Sequence, residues 1–184
     1  MKSAINNCNH QCDPPFDYSK VTENIYLGTH PCCLDVFRDE LQAKGVTATI
    51  SLEGEELEVP RGLDCLLWLP VLDTFAPSLD QLRLGIRTID ELIRMERKVY
   101  VHCRYGVGCG PTLIAAHLVK HGMSIEESIA YVKKKRPLSN PGAAQIDRLE
   151  EYRICVLEKA LEYAKEPHIK SLREKMKESK GPVT

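Results

Sequence analysis

Aromatic residues are scarce in this 184-residue chain: they make up 6% of it, with one Trp and three Phe. Aliphatic side chains on regular elements must therefore supply most of the core. An excess of one charge is also missing, since 25 Lys and Arg face 26 Asp and Glu, for a net charge of −1. Nucleic-acid binders usually show a clear basic surplus, so no nucleic-acid partner is expected. No apolar run approaches the roughly 20 residues of a membrane helix, so no membrane partner is expected either. The opening MKSAINNCNHQC has no apolar stretch of the kind a secretory leader needs. The expected location is cytoplasmic. What is present is a globular composition, 43% hydrophobic and 28% charged. The length is close to one ordinary domain, enough to hide roughly 70% of the unfolded surface.

Eight cysteines fit a reducing compartment only as free thiols. Cys65 and Cys155 lie among apolar residues and are expected as small core hydrophobes. Cys8, His10, Cys12, His30, Cys32 and Cys33 supply soft ligand atoms, but CNHQC and HPCC do not match the usual zinc spacings. No metal and no cofactor is expected.

Along the chain, strand patterns alternate with helix patterns. NIYLG (24–28), VTATISL (46–52), CLLWLPVLD (65–73) and KVYVH (98–102) read as strands, the second through its β-branched run. Residues 34–44 read as a helix stopped by Gly45. Ser78, with Gln81 three residues on, opens a helix with apolar residues at Leu79, Leu82, Ile86, Ile89 and Ile93. Further helices are expected over 113–122, closed by Gly122, over 124–136, and from about Ala143 to Lys165. The run KKKR (133–136) fits a helix end, where cations suit the dipole. These elements predict an α/β fold with a central, largely parallel sheet flanked by helices. Residues 1–17 are expected as a poorly ordered lead-in, 18–165 as the folded domain and 166–184 as a polar tail.

The chemistry concentrates in residues 98–112. A strand delivers His102 and Cys103 to its C-terminal end, where parallel α/β sheets bind ligands. The loop RYGVG follows, and Gly106 and Gly108 allow its backbone N–H groups to point inward. A helix begins near Gly110–Pro111, with proline at a first-turn position where its missing N–H costs little. Converging amides and a helix N-terminus make an anion site. The same field is expected to lower the pKa of the Cys103 thiol, and the thiolate is the nucleophile.

The segment KVYVHCRYGVGCGPTLIAAHLVKHG (98–122) resembles the phosphate cradle of the cysteine-based protein tyrosine phosphatases. YSKVTENIYLG (18–28), LPVLDTFAPSLDQL (69–82) and RPLSNPGAAQIDRLEEY (136–152) are similar, in the same order, to segments of the small dual-specificity type. The resemblance implies that type's fold over 18–165 and hydrolysis of phosphotyrosine, phosphoserine and phosphothreonine esters through a phosphocysteine. It implies Cys103 as nucleophile, Asp73 as general acid and then base, and a phosphate held by Arg104, Tyr105, Gly106, Val107, Gly108 and residue 109. His102 and Gly110 would support the nucleophile, and Asn140 and Gln145 align loosely with loop- and water-supporting positions. The partner implied is a phosphorylated protein or a small phosphoester.

Two residues depart from the family pattern. Where the family has arginine, six residues after the nucleophile, this chain has Cys109; where it has Ser or Thr, this chain has Gly110. A guanidinium binds two phosphoryl oxygens and follows their charge into the transition state, so activity is expected to be impaired. Arg104 is expected to point outward. Three readings stay open: a phosphatase with depressed activity, a non-catalytic phosphate-binding pseudophosphatase, and a Cys103–Cys109 thiol switch.

Overall fold

A computed structural model describes residues 13–31, 34–57 and 59–165, with side chains as far as 156. Five strands, β1 Tyr18–Lys20, β2 Ile25–Gly28, β3 Val46–Glu53, β4 Cys65–Val71 and β5 Lys98–His102, form one sheet in the order β1-β2-β5-β3-β4. Only the β1–β2 pair is antiparallel; β2, β5, β3 and β4 run parallel. The helices are α1 Leu34–Glu40, α2 Leu79–Arg94, α3 Cys109–Lys120, α4 Ile125–Lys135 and α5 Ala143–Lys165. The expected α/β architecture with a central, largely parallel sheet is the one observed.

β5 lies at the centre of the sheet and directs alternate residues to opposite faces, as the strand period of two requires. Val99 and Val101 enter a large aliphatic core with Leu82, Ile86, Ile89, Leu113 and Ile114. Tyr100 enters a smaller core on the other face with Phe16, Phe37 and Leu41. Four buried aromatics, Phe16, Tyr26, Phe37 and Tyr100, gather in this smaller core, with Phe37 and Tyr100 rings 5.6 Å apart and Phe16 and Tyr100 rings 6.1 Å apart. That packing corrects one expectation. The lead-in was expected to be loose through residue 17, but Phe16 is buried and Asp17 accepts from Thr29 N at 2.9 Å. Residues 1–12 and the tail from 166 lie outside the described residues, as do Cys32 and Cys33.

Local signals place the helices. Gln81 N donates to Ser78 Oγ at 3.1 Å and Ser78 N to Gln81 Oε1 at 2.8 Å, a reciprocal cap that fixes the start of α2. Ser124 and Glu127 do the same for α4. The helix expected over 34–44 ends sooner, at Glu40, and a single 3-10 turn over Gln42–Lys44 completes it before Gly45 turns left-handed at φ 85°. α3 begins at Cys109, one residue before the expected Gly110–Pro111 start, because the glycine loop leads directly into the helix. Cys65 and Cys155 are half-buried free thiols; Cys155 lines a surface groove with Arg83, Arg87 and Tyr152 rather than the core.

Candidate active site

β5 ends at His102, and Cys103 follows at the C-terminal edge of the sheet, under the start of α3. Its side chain is buried. The backbone N–H groups of Gly110, Gly106, Val107 and Gly108 reach its sulfur and favour the thiolate. This is the inward-pointing amide ring expected of residues 103–110, closed by the first turn of a 12-residue helix.

The loop keeps its shape through contacts outside the ring. Gly106 stands at φ 64°, and a Cβ there would lie 2.5 Å from the Gly28 carbonyl oxygen, so only glycine fits. Arg136 grips the back of the loop. Its buried guanidinium donates from Nε to the Gly106 carbonyl at 3.0 Å and from Nη2 to the Tyr105 carbonyl at 3.4 Å, while Nη1 meets Asp17 Oδ2 at 2.7 Å. Asn140 N donates to the Val107 carbonyl at 2.8 Å. The sequence pattern grouped Arg136 with three lysines as helix-end cations; Lys133, Lys134 and Lys135 are exposed and Arg136 is buried. The signal that separates them is Pro137, which ends the helix and turns the last side chain inward.

Asp73, Cys103, Tyr105, Val107 and Gly108 line one cavity of about 300 Å³, with Asn140 and Gln145 on its far wall. Asp73 is exposed and sits beside Thr74, a β-branched residue at φ 69°. Such a backbone is strained, and strain of this kind concentrates where a loop must aim a side chain. The loop is tethered at Phe75, whose carbonyl accepts from Gln145 Nε2 at 3.0 Å and Cys109 Sγ at 3.2 Å. Gln145, only loosely indicated by sequence, thus links three parts of the pocket: it also reaches Cys109 Sγ at 3.4 Å and accepts from Gly142 N at 2.9 Å. Arg104 turns away, its Nη1 3.2 Å from Glu55 Oε2, and is absent from the cavity wall.

The electrostatics differ from expectation. Burial pushes the Cys103 thiol above its ordinary value, and the four loop amides only partly oppose it. The expected lowering is therefore corrected. Around this sulfur, desolvation outweighs the amide dipoles. Cys109, also buried, is pushed up to about 12 by burial and then by Cys103 and Asp73. His102 is pushed down to about 3 by burial and by His30, so its ring is neutral and lends the thiolate no charge. It stacks on Tyr100 at 5.2 Å, and its Nδ1 has no hydrogen-bond partner among the described residues. At Gly110 a Cβ would lie 3.7 Å from Cys103 Sγ, so a hydroxyl-bearing residue there would reach the sulfur.

Residues 25–155 match the family model for the dual specificity phosphatase catalytic domain. The chain belongs to that family. Phosphatidylglycerophosphate phosphatase PTPMT1 of Arabidopsis thaliana is 32% identical over 143 residues, which cover 73% of this chain and 42% of that protein. The chain spans less than half the length of that relative and of two further curated relatives. Among solved structures, the active form of Tk-PTP superposes with TM-score 0.67 at 27% identity, covering 74% of this chain and 95% of that one. PTPMT1 in complex with PI(5)P superposes with TM-score 0.71 at 24% identity, over 78% of this chain and 98% of that one, a likeness of fold.

Proposed function

We propose that this domain is a slow phosphatase of the dual-specificity type that works through a phosphocysteine on Cys103. The observation that carries the reading is the ring of amides on Cys103 Sγ, opening into the cavity that Asp73 also lines. In the reaction the Cys103 thiolate attacks phosphorus while Asp73 gives its proton to the leaving oxygen. Asp73 then takes a proton from water, which displaces the sulfur and releases phosphate. Amides bind the equatorial oxygens in both steps. With no guanidinium at position 109, the dianion is held by dipoles alone. The raised thiol leaves little thiolate at neutral pH, and both deficits depress turnover.

The substrate class is a phosphomonoester, on a protein side chain or a small molecule. The absence of a basic excess favours neither nucleic acid nor an anionic membrane surface as partner. The free thiols at Cys65, Cys103, Cys109 and Cys155 support a reducing, cytoplasmic setting. A second reading, a non-catalytic phosphoester-binding module, draws on the same raised Cys103 thiol. A Cys103–Cys109 switch is less favoured, because both thiols are pushed up and exchange needs a thiolate.

An aryl-phosphate assay on the full chain tests the proposal. Slow hydrolysis that Cys103→Ser abolishes and Cys109→Arg raises by about two decades is expected. Hydrolysis that survives Cys103→Ser would overturn it, and complete inactivity of both the natural chain and Cys109→Arg would favour the binding module.

A further inference from the structure

The other end of α3 carries a second cluster, about 18 Å from Cys109 at 1.5 Å rise per residue. Asp90 on α2 faces His117 and His121, which share one face of α3 and its cap. One potential ligand atom from each of the three lies within 4.8 Å of the others. Asp90 Oδ1 is 3.2 Å from His117 Nδ1 and 2.9 Å from His121 Nε2. In a tetrahedral zinc site with bonds of about 2.0–2.2 Å, neighbouring ligand atoms stand about 3.3–3.5 Å apart, so these three need little movement.

Three features separate this cluster from an ordinary surface ion pair. His117 is 7% exposed, and its Nδ1, despite standing close to Asp90, makes no hydrogen bond among the described residues. A buried ring nitrogen without a partner normally calls for an explanation. Lys120 Nζ pairs with the other carboxylate oxygen of Asp90, Oδ2, which fixes the carboxylate and leaves Oδ1 turned toward both rings. The nearest other cation in the same groove, Arg94, is neutralised by two hydrogen bonds to Glu91, at 2.9 and 2.5 Å.

We propose that Asp90, His117 and His121 bind a divalent transition-metal ion, Zn²⁺ by preference, which clasps the end of α3 to α2. Two imidazoles and a carboxylate suit Zn²⁺, Ni²⁺ or Cu²⁺ and discriminate against Mg²⁺ and Ca²⁺, which favour all-oxygen sites. The groove beside Ile93 leaves the fourth position to water. The clasp replaces the His121–Asp90 hydrogen bond with two coordinate bonds and gives His117 Nδ1 a partner. It is a structural site, remote from the cradle.

Thermal melting of the full chain with and without Zn²⁺ tests it, with His121→Ala as the control variant because His121 is exposed and its loss leaves the core intact. Zn²⁺ at about 100 times its Kd should raise the Tm of the natural chain by about 5–10 °C. His121→Ala should lose that rise while its metal-free Tm changes little. A rise of the same size in His121→Ala, or none in the natural chain, overturns the proposal, since the former would place the ion on the thiols. Should His121→Ala not fold, the visible spectrum of the natural chain with one equivalent of Co²⁺ decides. Bands of a nitrogen and oxygen site support the proposal, and an intense thiolate-to-cobalt band overturns it.

Discussion

Positions 109 and 136 flank the same loop, and only one of them carries a guanidinium. Arg136 lies behind the loop and grips its carbonyl side through Gly106 and Tyr105. Cys109 lies at the other end of the loop, in the first turn of α3, with its sulfur buried against Phe75 and Gln145, and it brings no charge. The comparison separates two properties that the family normally delivers together. The shape of the cradle depends on Arg136 behind it and on Asn140 and Gln145 beside the cavity. Its electrostatic pull depends on what faces the phosphate. This chain retains the first and has lost much of the second, so it can be expected to recognise a phosphoryl group without stabilising its transition state well.

The comparison breaks most severely at position 136. Arg136→Ala removes three donors from carbonyl and carboxylate partners inside a packed wall. Asp17 is about half exposed, so its abandoned charge is largely met by water, and the cost falls mainly on the two loop carbonyls. A loss of about 3 kcal/mol in urea unfolding is expected, together with loss of tungstate binding. Unchanged stability and binding would mean that the loop holds its shape without its buttress.

A smaller effect sharpens the comparison from the front. In the natural chain, alkylation of Cys103 should titrate above the ordinary thiol value of about 8.5, because burial outweighs the amides. Cys109→Arg places an opposite charge close to the sulfur and should lower that midpoint by about one to three units. If the midpoint does not move, the side chain at 109 does not face the thiolate, and its chemistry cannot explain slow turnover.

The unequal legibility of these two positions has a physical cause. Strands with β-branched runs and helices with Ser–Gln or Ser–Glu boxes are specified by near neighbours, so β3, α2 and α4 were readable from the sequence. The strand–cysteine–glycine–helix order is also local, and it pointed to the cradle. Arg136 depends on a partner 119 residues away, Asp17, and on two carbonyls of a loop far back in the chain. No periodicity reports such a contact, and the adjacent lysines disguised it as surface charge. The sign of the Cys103 shift is illegible in sequence for a related reason. The helix start and amides are visible in sequence, whereas desolvation comes from everything packed around the sulfur.

The smallest expected effect concerns His102, which stands directly before Cys103 and is a second potential source of charge there. Buried beside His30, it is pushed down to about 3, against about 6.5 for an unfolded histidine. Below pH 6.5 the unfolded chain therefore binds a proton that the folded chain refuses, and stability must fall as the pH drops from there toward 3. Above pH 6.5 this residue adds no pH dependence. Between pH 6.5 and 5, where carboxylates contribute little, uptake at this site on unfolding should grow from about half a proton to nearly one. Urea titrations at several pH values would measure that slope, and His102→Gln should reduce it. An unreduced slope in His102→Gln would mean that the folded ring already carries its proton at these pH values. It would then stand as an imidazolium next to Cys103, partly replacing the missing guanidinium, and the front of the cradle would be less depleted of charge than its neutral state implies.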